Sequence, residues 1–287
     1  MTQPEPYRLA LPEGPSGSVI FNSPHSGSFY PDDFVAKARL GPLALRASED
    51  AFVDQLFDMA PENGAPLLSA VYPRAWLDLN RSPSEMDPAL VEGAASAGIN
   101  QRIAAGLGVV PRVVSEGRAI YRGKIPLAEA EARVRNVHRP YHAELDKLLI
   151  RARDRFGIAV LFDCHSMPSE ALRAAPRVRG KVPDVVLGDR FGAAAARHIV
   201  TETQAAFEAE GFTVARNAPF AGGYITQRYG RPARGLHAVQ IELDRAMYLD
   251  QRRIQKSSDF QDVRQRVGRV VTRLVQIAPD LSALAAE

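Results

Sequence analysis

The sequence predicts an α/β fold, and three observations carry that expectation. Ile158 to Phe162 run apolar without interruption and stop at Asp163, Cys164, His165 and Ser166. A short apolar run bounded by polar residues reads as a strand buried on both faces of a sheet. Similar runs recur at Ser18–Phe21, Leu67–Tyr72, Val182–Leu187, Phe212–Arg216 and Leu236–Leu243. Between them lie longer stretches with apolar residues at helical spacing.

The chain has 287 residues and 46% hydrophobic content, enough to bury a substantial core. Its 36 basic and 33 acidic residues nearly balance, leaving +3, which gives no case for nucleic acid or an anionic membrane as partner. One cysteine excludes an intrachain disulfide and a cysteine-only zinc site. No basic segment followed by an apolar stretch opens the chain, and no apolar run approaches a membrane span. A soluble cytoplasmic protein is expected, with a monomer assumed.

In chain order, residues 1–17 are rich in Pro and Gly and are expected to form an irregular arm, ahead of a single domain over 18–287. The strand Ser18–Phe21 runs into Asn22-Ser23-Pro24-His25-Ser26-Gly27, a histidine in a Ser/Gly loop. Leu43–Ala60 is helical in pattern, with Ser48 as a plausible N-cap and Glu49 and Asp50 in the first turn, where acids suit the helix dipole. Leu67–Tyr72 leads to Asp78-Leu79-Asn80-Arg81 and a loop over Ser82–Pro88. An arginine there could clamp a substrate carboxylate through two parallel hydrogen bonds. It could equally pair with Glu85 or Asp87 at the surface. Asp78 and Asn80 could hold its guanidinium in place.

Leu127–Phe156 is the longest helical pattern and contains Pro140, which breaks or kinks a helix. His138 and His142 are spaced i, i+4, but Arg139 and Pro140 follow His138, so the zinc-protease helix motif fails. His142 alone could still line a pocket. On the strand after Phe156, alternation puts Asp163 and His165 on one face and Cys164 on the other. His165 is therefore a candidate metal ligand or base oriented by Asp163, or a buried histidine satisfied by that carboxylate. The same alternation argues against Cys164 and His165 as a nucleophile–base pair. A helix is expected from about Phe191 to Glu210, and a loop over Ala218–Pro232 that holds Gly222, Gly223 and Tyr224. On Leu236–Leu243, His237, Val239, Ile241 and Leu243 face one way, and Ala238, Gln240, Glu242 and Asp244 the other. A glutamate within such a strand is costly to bury unless paired, metal-bound or catalytic. A last helix is expected over Ser258–Ile277.

The ordered set Ser23-Pro24-His25-Ser26-Gly27, Asp50 ahead of a helix, Asp78-Leu79-Asn80-Arg81, Pro140-Tyr141-His142, Asp163-Cys164-His165-Ser166, Gly222-Gly223-Tyr224-Ile225-Thr226 and Gln240-Ile241-Glu242-Leu243 resembles the N-formylglutamate amidohydrolases, also called N-formylglutamate deformylases. The motifs are short, but they follow the family's order from about residue 18 to 250. The resemblance implies a single-domain three-layer α/β/α sandwich around a mixed sheet, similar to zinc carboxypeptidases and aspartoacylases. It implies zinc-dependent release of formate from N-formylglutamate, late in histidine breakdown. One zinc ion would be held by His25, Asp50 and His165, with Glu242 as general base. Arg81, Asn80, His142, Gly222, Gly223, Tyr224 and His237 are expected around the substrate, with Arg81 the first choice for a carboxylate. Two departures stand out. Related carboxypeptidase-like enzymes use His-x-x-Glu for the first two ligands, whereas Ser28 lies three residues after His25, so Glu49 competes with Asp50 for the ligand role. Tyr224 stands where some relatives carry histidine. Alternatives are hydrolysis of another N-acyl amino acid or small peptide, a catalytically silent metal- or amino-acid-binding protein, and a Cys164 hydrolase.

Overall fold

The two longest strands lie side by side within one sheet. In the computed structural model, which describes residues 4–95, 100–173 and 175–277, this sheet has seven strands: β1 Tyr7–Ala10, β2 Val19–Ser23, β3 Leu67–Ala70, β4 Ala159–Met167, β5 Val185–Gly188, β6 Val214–Arg216 and β7 Leu236–Asp244. Their order across the sheet is β1-β3-β2-β4-β7-β5-β6. β4 runs parallel to β2 and to β7, whereas β5 runs antiparallel to β7 and parallel to β6. The sheet is therefore mixed, as expected. Every residue of β4 is buried, so both faces of that strand are covered.

The helices include α1 Val53–Leu56, α2 Arg139–Phe156, α3 Arg197–Ala209, α4 Tyr224–Tyr229 and α5 Phe260–Leu274. The chain falls into two compact units, each drawn from separate segments. The first comprises Met1–Arg8, Pro24–Ala51 and Ser69–Glu144, and the second Leu9–Ser23, Phe52–Leu68 and Leu145–Glu287. The second holds β2, β4, β5, β6 and β7. Its core includes the stacked rings of Phe21 and Phe162, 5.3 Å apart, with Phe57 5.9 Å from Phe21. The α5 residues Val263, Val267, Val270, Val271 and Leu274 are also buried there, each contributing roughly 1.5–3 kcal/mol by leaving water. The first unit is built mainly from short helices and turns. Its anchor is the buried Arg133, which donates to the Trp76 carbonyl at 2.9 Å, the Tyr121 hydroxyl at 2.7 Å and Glu129 at 2.6 Å.

Several expected elements are corrected. Tyr7–Ala10, expected within an irregular arm, is an edge strand whose burial alternates, the pattern of a strand with one side towards solvent. The helix expected over Leu43–Ala60 is broken into Pro42–Leu45, a 3-10 turn Arg46–Ser48 and the short α1. Asp50 gives its N–H to the His25 carbonyl at 3.0 Å, Glu49 is extended, and Phe52 is left-handed at φ 64°. Ser48 therefore caps no helix. Pro140 does not break its helix: Val134–His138 forms a π turn directly ahead of α2, which absorbs the missing N–H and the bulk of the ring.

The helix expected from Phe191 starts only at Arg197, because Arg190 and Phe191 are left-handed at φ 55° and 56°. Ala194 instead accepts a hydrogen bond from Ala238 at 2.9 Å. Within the expected loop Ala218–Pro232, α4 forms after Gly222, whose φ of 123° only glycine adopts easily. Asp163 to Ser166 lie inside β4, so His165 is borne by a strand where the sequence suggested a strand end. Among the described residues no helix is long and apolar enough to cross a membrane.

Candidate metal and active site

In the first unit, His25 stands two residues beyond β2 and is 2% exposed. Its Nε2 lies 2.7 Å from Asp78 Oδ1. A carboxylate can only accept, so Nε2 carries the proton there. In a neutral imidazole the lone pair is then on Nδ1, which lies 3.5 Å from Asp50 Oδ2. A lone pair facing a carboxylate oxygen is repulsive unless a cation lies between them. Two tetrahedral zinc ligands stand about 3.3 Å apart, given metal–ligand distances of about 2.0 Å, so the observed gap suits one ion.

Asp78 is fully sheltered and well compensated. It also accepts from Arg74 Nε at 3.0 Å and from the Asn80 N–H at 2.8 Å. Burial acts to raise its pKa, but the charges of Arg74, His25 and Arg81 outweigh that and hold the carboxyl well below its ordinary value. Glu49 and Asp50 are placed differently. Glu49 is engaged by Arg46 in a two-point contact at 2.9 Å and by the Tyr30 hydroxyl at 3.0 Å, while Asp50 faces His25.

The Asp78–Arg81 segment is pinned by the histidine pair on the long helix. His138 Nε2 donates to the Arg81 carbonyl and His142 Nε2 to the Leu79 carbonyl, each at 2.9 Å. Their rings stack at 4.2 Å. This pair therefore shapes the backbone around Arg81. Arg81 itself is buried, with Nε donating to the Leu107 carbonyl at 3.0 Å and Nη1 to the Asn80 carbonyl at 2.8 Å. Among the described residues, no ion pair joins Arg81 to Glu85 or Asp87. Asp87 pairs with Arg112 at 2.9 Å, and Glu85 accepts from the Ser82 N–H. Burial lowers the Arg81 pKa, as do Arg74 and Arg102, against the attraction of Asp78. An arginine remains cationic regardless, and these three guanidiniums together make the segment electropositive.

In the second unit, the parallel register of β4 and β7 aligns Asp163 with Gln240 and His165 with Glu242. Aligned residues on neighbouring strands share a face of the sheet. His165 Nε2 lies 3.1 Å from Asp163 Oδ1, as the i, i+2 spacing led us to expect. Glu242 is 8% exposed and accepts from Gln240 Nε2 at 2.8 Å. The Gln240 carbonyl oxygen is itself fixed by the Gly223 N–H at 2.8 Å. That donor dictates which end of the amide faces Glu242. Gly223 thus belongs to the support of Glu242, with Gly222 supplying the turn before it. Tyr224 opens α4, and its hydroxyl accepts from Arg228 Nη1 at 3.1 Å. His237 lies on the other face of β7 from Glu242, and its Nδ1 accepts the Ala196 N–H at 3.2 Å. Strand parity separates it from Glu242. Cys164 is buried on the face opposite His165, and burial and Asp163 push its thiol pKa well up, which does not suit a nucleophile.

Sequence reasoning missed two supports. Asp78 does lie 3.9 Å from Arg81 Nε, as expected, but its contact with His25 has no signal in the sequence. Gln240 was placed on the Glu242 face without a role, although polar residues two apart on a buried face are a signal of mutual hydrogen bonding. Among the described residues, His25, Asp50 and His165 form a group, all buried, in which one ligand atom from each lies within 4.8 Å of the others.

With this geometry in place, comparison with known proteins is informative. The family model described as N-formylglutamate amidohydrolase matches residues 17–249. The N-formylglutamate deformylase of Pseudomonas putida is 33% identical over 240 residues, covering 81% of this chain and 82% of that protein. The N-formylglutamate deformylase of Pseudomonas aeruginosa is 36% identical over 205 residues, covering 70% and 71%. The crystal structure of N-formylglutamate amidohydrolase from Ralstonia eutropha JMP134 superposes with a TM-score of 0.89 at 33% identity, covering 96% of this chain and 99% of that one. The matched span contains His25, Asp50, Asp78, His165 and Glu242. The chain belongs to the N-formylglutamate amidohydrolase family.

Proposed function

We propose that this chain is a cytoplasmic, zinc-dependent hydrolase of N-formyl-L-glutamate, releasing formate and glutamate in histidine degradation. The observation that carries the reading is the grouping of His25, Asp50 and His165 within 4.8 Å, with Glu242 in register beside His165. Two imidazoles and one carboxylate are a donor set that suits catalytic zinc and leaves a fourth position open. The relatives' names supply the substrate.

When bound, zinc supplies Lewis acidity that polarises the amide carbonyl and makes water a better nucleophile near neutral pH. Glu242 accepts a proton as water adds to the formyl carbon, then delivers it to the departing nitrogen as the C–N bond breaks. Gln240 holds Glu242 for both transfers. Formate leaves with the added oxygen, and glutamate with the new amine hydrogen. A formyl group has only hydrogen beyond its carbonyl carbon, so specificity falls on the two carboxylates. Arg81, with Arg74 nearby, is suited to one of them.

Formate release across a substrate panel tests this reading. N-formyl-L-glutamate should have the highest kcat/KM, with at least about a tenfold loss when either carboxylate is amidated, or ~1.4 kcal/mol of transition-state binding. Equal turnover of the amidated substrates, or a preference for N-acetyl-L-glutamate, would favour a general N-acyl amino acid hydrolase.

A further inference from the structure

The two imidazoles of the proposed metal site rest against carboxylates that the fold treats differently. Asp78, beside His25, is met by a guanidinium and by a backbone N–H. Asp163, beside His165, is 0% exposed, and among the described residues neither of its oxygens accepts a hydrogen bond. Among the described residues its one close polar contact is the 3.1 Å approach of His165 Nε2 to Oδ1, which is near enough for a hydrogen bond but off its line. A carboxylate buried among apolar strands without donors is among the most costly arrangements a fold can hold. Its position is fixed by the sheet: it sits in mid-strand, aligned with Asn22 on β2 and Gln240 on β7. The amide of Gln240 is committed to Gly223 and Glu242. A group kept at such cost is kept for something other than stability.

We propose that Asp163 is a positioning residue for the metal: it holds the His165 imidazole with Nε2–H towards the carboxylate and Nδ1 towards the metal, and the bound cation balances its buried charge. This rests on the metal reading above. Asp78 sets the same tautomer in His25, since its contact is also with Nε2. Both imidazoles would thus present Nδ1 as ligand, each backed by a carboxylate that fixes the ring and raises its basicity. The difference is that Asp78 also serves the fold, through Arg74 and Asn80, whereas Asp163 serves only the metal. Asp163 therefore weakens the metal-free protein and strengthens the metal-loaded one.

The test is zinc affinity, by competition with a chromogenic chelator, alongside thermal melting of the metal-free protein, for wild type and Asp163→Asn. The expected result is zinc binding weakened by about 10- to 100-fold, the usual effect of removing such a support, while the metal-free variant melts at the wild-type temperature or above it. Unchanged zinc affinity, a lower melting temperature without metal, or a variant that fails to fold would each overturn the proposal, because each makes Asp163 either irrelevant or structural. A second measurement uses wild type alone. Imidazole 15N spectra of the zinc-loaded protein should show His165 protonated at Nε2, and a proton on Nδ1 would overturn the assignment. If wild type binds no zinc at all, the metal reading itself falls. If wild type binds zinc and the variant binds it equally well, only the role of Asp163 falls.

Discussion

His25 and His165 are secured by opposite means. His25 lies in a loop, and its carboxylate partner Asp78 comes from 53 residues further along the chain. That loop is held by hydrogen bonds: Asp50 N–H to the His25 carbonyl, and His138 and His142 to the backbone of the Asp78–Arg81 segment. His165 lies within a fully buried strand, and its partner Asp163 is two residues away on the same face. Here packing and strand parity do the holding. The difference teaches that a hydrogen-bonded station depends on charge compensation brought from afar, while a strand-borne station is inherited from the sheet.

The largest expected effect lies on the strand-borne side. Glu242→Gln keeps the size of the side chain and its contact with the neighbouring amide but removes the proton acceptor. Steady-state formate release should show kcat lowered by about 10²- to 10⁴-fold, with zinc content near wild type. Loss of zinc instead would make Glu242 a ligand and move the base elsewhere.

The loop-borne side should break differently. Asp78→Asn leaves Arg74 and Arg81 without their shared buried counter-charge, so denaturant unfolding should show a loss of about 3–5 kcal/mol, as for other broken buried pairs. Because the Asp78 carboxyl is held below its ordinary value, its contribution is fully present above the unfolded carboxylate pKa and is lost only as pH falls through the depressed folded value. Wild type should therefore keep this stabilisation through mildly acid pH, while the variant lacks it at neutral pH already. An Asp78→Asn protein as stable as wild type would remove the contrast between the two stations.

A smaller, pH-dependent effect separates His237 from the site. Burial, with a further push from His198, lowers its pKa to about 4. The unfolded chain therefore binds more protons than the folded one between about 6.5 and 4. The stability His237 contributes is complete above the unfolded pKa and declines as pH falls through that window. Melting temperatures from pH 7 to 4 should fall more steeply for wild type than for His237→Gln, with kcat at pH 7 little changed. A large loss of activity at pH 7 with unaltered melting would return His237 to the substrate site.

The same contrast explains what the sequence made legible. Apolar runs marked six of the seven sheet strands, and period-two alternation paired Asp163 with His165 and put Gln240 with Glu242, because both relations are local to one strand. The loop-borne contacts were illegible for the opposite reason. Nothing near residue 25 announces that Asp78 will meet it, and nothing near 138 announces that two histidines will bind carbonyls at 79 and 81. The helix pattern over 43–60 misled because propensity and periodicity are weak against a tertiary demand: the Asp50 N–H is taken by His25, and the helical hydrogen bonding ends there. The edge strand Tyr7–Ala10 was hidden by its Pro- and Gly-rich surroundings. The different surroundings of Glu49 and Asp50 were equally illegible, because Arg46 and Tyr30 meet Glu49 through the fold.

The most direct measurement is formate release from N-formyl-L-glutamate by the purified chain before and after exhaustive chelation, with metal content determined on the same samples. The account predicts about one zinc per chain in the active protein, as one three-ligand site requires, loss of activity as zinc is removed, and recovery on adding one equivalent back. Full activity with zinc exhaustively removed would contradict it.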